Sequence, residues 1–142
     1  MAAEAVGGLG SAAATPEILA HLARLLRDSE WWVRQAAAKA VGRLGSAVAT
    51  PEFLAHLARL LRDSDGTVRC AATKAVGRLG SAAATPEILA RLTRLLRASE
   101  GEVRRAAAEA VAGLMAQGVR IFKASKLLRK KWEGRSVVEL SQ

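Results

Sequence analysis

Two histidines and one cysteine are the side chains of this sequence with the greatest potential for covalent or metal chemistry. His21 and His56 are 35 residues apart, and Cys70 is the single cysteine. Imidazole and thiolate groups are common zinc ligands, and a thiol next to a histidine base can act as a nucleophile. The sequence has no paired carboxylates, no Ser/His/Asp set and no glycine-rich phosphate loop. The chemistry left to consider is therefore a metal site or a reactive thiol.

An internal repeat of 35 residues sets the positions of these side chains. Residues 5–39, 40–74 and 75–109 are three copies of one unit, and the first two agree at 27 of 35 positions. A period of about 20–50 residues is typical of solenoids and other arrays, in which each unit buries its apolar face against its neighbours. The two histidines occupy the same position in adjacent units.

This equivalence argues against a shared site. Helices of neighbouring units pack about 8–10 Å apart, whereas two ligands of one zinc ion each bind at about 2 Å. Cys70 aligns with Gln35 and Arg105, a position that accepts charge, so we expect an exposed thiol without a nearby histidine base. The sequence therefore predicts no metal, no cofactor and no catalytic residue. It predicts a protein that is not an enzyme.

Each unit is predicted to contain two helices. The first begins at Thr15-Pro16-Glu17, where threonine can cap the helix, proline suits its first position and glutamate meets the positive end of its dipole. The second carries alanine and valine at helical spacing and ends near Gly45. The six predicted helices span residues 16–27, 31–44, 51–62, 66–79, 86–97 and 101–116.

An Asp-x-x-x-x-Val-Arg signature joins the two helices of a unit. It occurs as Asp28 with Val33-Arg34 and as Asp63 with Val68-Arg69. In this signature the chain resembles HEAT repeats, in particular the bacterial PBS-lyase-type HEAT-like repeats, over about residues 2–117. The resemblance implies an all-α fold, a right-handed α-solenoid of stacked helical pairs.

The same resemblance implies a ladder of Asp and Arg side chains between neighbouring units. We expect Arg34 and Arg69 to be substantially buried and paired within it. Ala98 replaces the aspartate in the third unit, so the ladder should be weaker at that end.

The period divides the chain into two parts. Residues 1–117 are predicted to form a half repeat plus three repeats, and residues 118–142 a basic C-terminal cap or tail with seven basic and two acidic residues. The apolar residues expected to cover the last unit are Phe122, Leu127, Leu128 and Trp132. Because the chain starts in the middle of a second helix, we expect a fragment of a larger protein. Its incompletely covered first unit should self-associate end to end.

Signals for membrane insertion and secretion, together with the cysteine content, predict where the protein acts in the cell. No apolar run approaches the roughly 20 residues that span a bilayer, and the first residues do not form a secretory signal. A single cysteine is compatible with a reducing compartment. Together with the resemblance, this predicts a bacterial, cytoplasmic protein without a membrane partner.

The units differ most at one cluster of positions in the second helix. Spacings of three, four and seven place Trp32, Gln35 and Lys39 on one face, with Trp31 and Ala38 beside it, opposite the buried stripe. In HEAT-like arrays the second helices line the concave surface, which often binds a partner, and exposed tryptophans are frequent interface anchors. The predicted partner-binding residues are Trp31, Trp32, Gln35, Lys39, Thr67, Cys70, Lys74, Glu102, Arg105 and Glu109.

The sequence thus predicts a non-enzymatic protein–protein interaction scaffold that binds its partner on the concave face of the second helices. The alternative is a nucleic-acid-binding array that uses the basic tail and columns of arginine along the first helices. These columns are Arg24, Arg59 and Arg94, and Arg27, Arg62 and Arg97. Cations at regular spacing can follow a phosphate backbone, although acidic columns alternate with them.

Overall fold

The computed structural model describes residues 14–116, in which the chain forms six α-helices and no strand. We number the helices in chain order: α1 Pro16–Leu25, α2 Trp31–Leu44, α3 Pro51–Leu60, α4 Gly66–Leu79, α5 Pro86–Leu95 and α6 101–116. Short 3-10 turns follow α2 and α4, at Gly45–Val48 and Gly80–Ala83. The predicted all-α solenoid of helical pairs is confirmed. None of the described helices is both long and apolar enough to cross a membrane.

The first helix of each pair begins as predicted and ends earlier. The hydroxyl of Thr50 accepts a hydrogen bond from the amide of Phe53 at 3.3 Å, and Thr15 and Thr85 cap α1 and α5 in the same way. At the other end of α1 the amide of Arg27 donates to the carbonyl of Arg24. This tighter bond, three residues back, narrows the last turn. The helix therefore ends at Leu25, two residues before the predicted end.

Glycine ends the second helix of the first two pairs. Gly45 and Gly80 have φ angles of 66° and 67°, in the left-handed region that side chains with a Cβ avoid. In the third pair the second helix, α6, is described as far as residue 116.

Small residues bring the second helices into direct contact. A Cβ built on Gly42 of α2 would lie 3.2 Å from the Cα of Ala75 in α4, and one on Gly77 would lie 3.5 Å from the Cα of Ala110 in α6. Such distances require closely approaching backbones, which leucine-sized side chains would prevent. The core between the two layers is filled by leucine and valine, including Leu57 and Val76.

The two ends of the described array differ in how well they are covered. In the first unit Leu22 and Leu26 are buried and Leu19 is half-buried. Open apolar surface at this end stays a prediction, because the chain before residue 14 lies outside the described residues. The exposed leucines among residues 14–116 are Leu89 in α5 and Leu96 directly after it. The predicted cap over this unit lies in residues 118–142, outside the described residues.

Two glycine substitutions are expected to change stability in opposite directions. Gly77→Ala should raise the free energy of unfolding by about 0.5–1 kcal/mol, because alanine favours a helix interior and its Cβ would make ordinary contacts with Ala110. Gly45→Ala should lower it by about 1–2 kcal/mol, because the left-handed φ disfavours a Cβ although the space is open. Urea denaturation measures both. Equal effects of the two variants would contradict the assigned backbone conformation of Gly45.

Candidate binding face

A groove runs between α2 and α4 on the face formed by the second helices. Its volume is about 340 Å³. We call it the basic groove, and its lining residues are Gln35, Ala38, Lys39, Gly42, Arg43, Thr67, Cys70, Ala71, Lys74, Ala75, Arg78 and Glu102. Small side chains form its floor because α2 and α4 approach closely at Gly42. Long cationic side chains stand along its sides.

A second groove of about 300 Å³ continues the same face between α4 and α6. We call it the mixed groove, because its lining carries both signs of charge: Cys70, Lys74, Glu102, Arg105, Ala106 and Glu109. Arg105 and Glu109 form an exposed ion pair at 3.2 Å. Eight of the ten residues predicted from sequence variation line one or both of these grooves.

The remaining two predicted residues lie at the start of α2. Trp31 and Trp32 line neither groove and are 42% and 45% exposed. Their rings pack edge to face, with centroids 5.8 Å apart and an interplanar angle of 87°. This arrangement presents aromatic surface to solvent one helical turn before Gln35, at the end of the basic groove.

Two positions of the variable cluster are less accessible than expected. Cys70 is half-buried and packs against the core, so the prediction of an exposed thiol is wrong. Ala38 and Thr73, which occupy one position in adjacent units, are fully buried and not beside an exposed face. The Thr73 hydroxyl donates to the Arg69 carbonyl at 2.7 Å, which satisfies it. Both buried positions lie one turn before a glycine that meets the second helix of the next unit, Gly42 at Ala75 and Gly77 at Ala110. The equivalent Ala108 of the third unit is exposed.

The predicted ladder forms between the first two units. Arg34 donates from Nε to Asp63 Oδ2 at 2.8 Å and from Nη2 to Asp63 Oδ1 at 3.0 Å. It also donates to the carbonyls of Asp28 and Ser29. The hydrogen bond to Asp63 raises the pKa of Arg34 above its ordinary value. The two side chains are only 15% and 10% exposed, so this bidentate pair joins the units away from most solvent.

The ladder continues in the third unit with a different acid. Arg69 pairs with Glu100 at 2.7 Å, since Ala98 stands where the aspartate would be. The expectation that Arg69 pairs with an aspartate is therefore wrong, although its side chain is mostly buried as expected. Glu100 is 48% exposed. A hydrogen bond from its own backbone amide lowers its pKa, and the charge of Arg69 lowers it further.

The repeated helical pair of this chain matches a known family. The family model described as HEAT repeats matches residues 1–59 and 48–113. The chain belongs to the HEAT-repeat family. A comparison with curated proteins gives no match.

The position shared by His21, His56 and Arg91, here called the histidine column, makes different contacts in each unit of this HEAT array. His21 is exposed, while His56 is half-buried, with its Nε2 3.9 Å from Glu52 Oε1. In the third unit Arg91 donates to Glu87 and to the carbonyl of Ala58 in the preceding unit. That carbonyl is left open because the last turn of α3 tightens. Within residues 14–116, no group of three or more His, Cys, Asp or Glu side chains could hold a metal ion.

Burial lowers the pKa of His56 below its ordinary value, and the nearby positive charge of Arg59 lowers it further. The unfolded chain therefore binds a proton at this histidine more readily than the folded chain. Stability contributed by neutral His56 is complete above about pH 6.5 and is lost as the pH falls through the lower folded value. We expect His56→Gln to reduce the loss of stability between about pH 7.5 and pH 5.5.

Urea denaturation across that range, at constant ionic strength, measures the effect. The matched control is His21→Gln, which removes the exposed histidine of the same column. A pH dependence unchanged by His56→Gln would contradict the role assigned to burial.

The arginines on the opposite side of the array are interleaved with carboxylates. A depression of about 600 Å³ lies where the first helices end, lined by Leu26, Arg27, Asp28, Arg34, Arg59, Leu60, Arg62, Asp63 and Arg91. Arg34 is paired with Asp63, and Arg91 with Glu87 and a carbonyl. The cations of this surface that face solvent are the two arginine columns. Variation between the units is small there, in contrast to the second-helix face.

Proposed function

We propose that this HEAT array is a non-enzymatic scaffold that binds a protein partner across its second-helix face, defined as the two grooves together with Trp31 and Trp32. HEAT repeats generally mediate protein–protein interaction. The observation that carries the proposal is the location of the differences between units. Eight variable residues line two adjoining grooves, while the residues that build the helices and joints are nearly identical.

Three features of the face support this role. Its charged and aromatic side chains are exposed on helices, which hold them in fixed positions at low entropic cost. The edge-to-face tryptophan pair supplies apolar area of the kind that dominates binding energy in interfaces. The floor of small residues makes a recess that a partner's side chains can enter.

The proposal extends to the setting of the protein. We infer a scaffold that acts in the bacterial cytosol, with residues 118–142 as a basic cap over the last unit. End-to-end self-association belongs to the same proposal. The competing function is nucleic-acid binding through the arginine columns and the tail.

A photo-cross-linking residue at Thr67 tests the proposed face. Thr67 is exposed and lines the basic groove, whereas Thr93 is exposed on α5 and serves as the matched control. We expect one defined protein adduct from Thr67 and none from Thr93 when the labelled chain is irradiated in cells. Adducts of equal yield from both positions, or an adduct that nuclease removes, would contradict the proposal.

The double substitution Trp31→Ala and Trp32→Ala should abolish that adduct. Truncating two interface aromatics costs on the order of 2–4 kcal/mol of binding energy, or roughly 30-fold to 1,000-fold in affinity. Because both rings are exposed, the circular-dichroism spectrum and the urea midpoint should change little. Undiminished cross-linking by the double variant would exclude the tryptophans as anchors.

A further inference from the structure

The residues that line the basic groove carry more positive than negative charge. Lys39, Lys74, Arg43 and Arg78 line it, and Glu102 is its single carboxylate. Within residues 14–116, neither lysine forms an ion pair with a carboxylate. Both lysines are exposed and stand on neighbouring helices. The groove therefore favours an occupant with negative charge.

The shape of the groove limits that occupant to something narrow. A volume of about 340 Å³ is at the low end of ligand sites in proteins. An α-helix with its side chains is about 10–12 Å across, which is wider than the 8–10 Å spacing of packed helices such as α2 and α4. An extended peptide, whose side chains alternate between faces, can instead lie over the small-residue floor.

The excess of positive charge also ends after two units, since Arg105 in the third unit pairs with Glu109. The column of Lys39 and Lys74 continues as Glu109, and Glu102 lies between the second and third units. Duplex DNA presents one charge about every 1.7 Å of its axis, and tight binding requires cations along many phosphates. Here the cations cover one interhelix spacing and carboxylates follow. This pattern fits a short acidic segment of a protein better than a nucleic acid.

An apolar surface lies at a defined distance along the same face. Trp32 is three residues before Gln35 and seven before Lys39, so the three residues share one side of α2. At about 1.5 Å per residue, Trp32 is about 10 Å along the axis from Lys39 and about 16 Å from Arg43. An extended chain covers these distances in about three to five residues.

We propose that the occupant of the second-helix face is an extended acidic peptide segment of a partner protein, with one apolar residue against Trp32 and carboxylates about three to five residues away against Lys39, Lys74, Arg43 and Arg78. The inference rests on the proposed function, since it names the kind of partner that this face takes. The carboxylates neutralise the exposed lysines, and the tryptophan buries the apolar residue. The recess between α2 and α4 fixes the path of the backbone.

Fluorescence polarisation with synthetic peptides tests the proposal on the full chain. The probe is a labelled nonapeptide with one leucine and three glutamates placed three to five residues from it. Its controls replace every glutamate by glutamine or by lysine. We expect the glutamate peptide to bind at least about tenfold more tightly than the glutamine peptide. The lysine peptide should not bind.

A charge-swapped protein gives the decisive comparison. Lys39→Glu with Lys74→Glu should reverse the preference, so that the lysine peptide binds and the glutamate peptide does not. The matched control is Arg94→Glu with Arg97→Glu, which makes the same change of net charge on the exposed side of the first helices. This control variant should bind the glutamate peptide like the unmodified chain. Equal loss of binding in both variants would overturn the proposal, because net charge alone would then explain it.

Other outcomes separate this inference from the proposed function. Equal binding of the glutamate and glutamine peptides, lost on Trp32→Ala, would overturn the acidic occupant while supporting a protein partner on this face. Tighter binding of an oligonucleotide of equal charge, lost in the Lys39 and Lys74 variant, would overturn it in favour of nucleic acid. Failure of every peptide to bind, with a defined adduct still formed from Thr67, would overturn the acidic segment and leave the proposed face standing.

Discussion

Leu61→Ala is expected to lower the free energy of unfolding by about 3–4 kcal/mol. The side chain of Leu61 is 1% exposed, and the residue caps the C-terminal end of α3. Truncating a buried leucine removes its transfer free energy and leaves a cavity that the surrounding helices fill only in part. In a linear array each unit is stabilised mainly by its neighbours. We therefore also expect Leu61→Ala to reduce the cooperativity between units, so that they unfold in separate transitions.

The repeat provides an internal control for this prediction. Leu96 is the equivalent residue of the third unit and is 39% exposed, so Leu96→Ala should cost less than about 1 kcal/mol. Urea denaturation followed by circular dichroism measures both variants. A cost for Leu96→Ala equal to that of Leu61→Ala would show that Leu96 is covered in solution, as the predicted cap of residues 118–142 requires. A small cost for both would contradict the stacking of α3 on α5.

Asp63→Ala should be the most damaging substitution among the polar residues. It would remove the bidentate acceptor of Arg34 and leave a mostly buried guanidinium without its carboxylate. It would also remove the carboxylate oxygen that accepts from the amide of Asp65 at 3.0 Å. Breaking a fully buried pair costs about 3–5 kcal/mol, and the slight exposure of this one reduces the expected loss to about 2–3 kcal/mol. The free energy of unfolding from urea titration gives the value.

Two comparisons make this result interpretable. Glu100→Ala breaks the corresponding pair of the third unit, where the acid is half exposed, and it should destabilise much less than Asp63→Ala. The double variant Arg34→Met with Asp63→Leu removes both charges, and it should recover much of the stability lost in Asp63→Ala. A double variant as unstable as Asp63→Ala would show that the loss comes from the turn around Asp65 and not from an unpaired arginine.

Local sequence signals predicted most of the helices correctly, and one of their boundaries poorly. The threonine caps and the glycines at positive φ act within a few residues of themselves, so they can be recognised without knowledge of the fold. The first helices end two residues early because the backbone amides of Arg27 and its equivalents donate to the carbonyl three residues earlier in the chain. Nothing in the apolar pattern distinguishes that tighter bond from a further helical turn, since Leu26 is buried in either case.

The positions that form the candidate face could be predicted from the sequence, but the burial of each residue could not. Differences between the units identified the residues that line the basic and mixed grooves. The same differences included Ala38 and Thr73, which the structure buries, and they suggested an exposed Cys70, which the structure half covers. How far each side of a helix is buried depends on how closely the next helix approaches, and at Gly42 that approach is nearly backbone to backbone.

The sequence by itself determined the unit of this protein. A repeat of 35 residues with a cap, a proline, an apolar stripe and a joint can bury its apolar side chains only against copies of itself, so the array follows from the chain. Tertiary structure decided which charges meet. Arg34 finds the aspartate that its signature implies, whereas Arg69 reaches Glu100, two residues along from the vacant position. A guanidinium on a long side chain takes the carboxylate that stacking brings within reach, and that distance is a property of two packed units and not of either one alone.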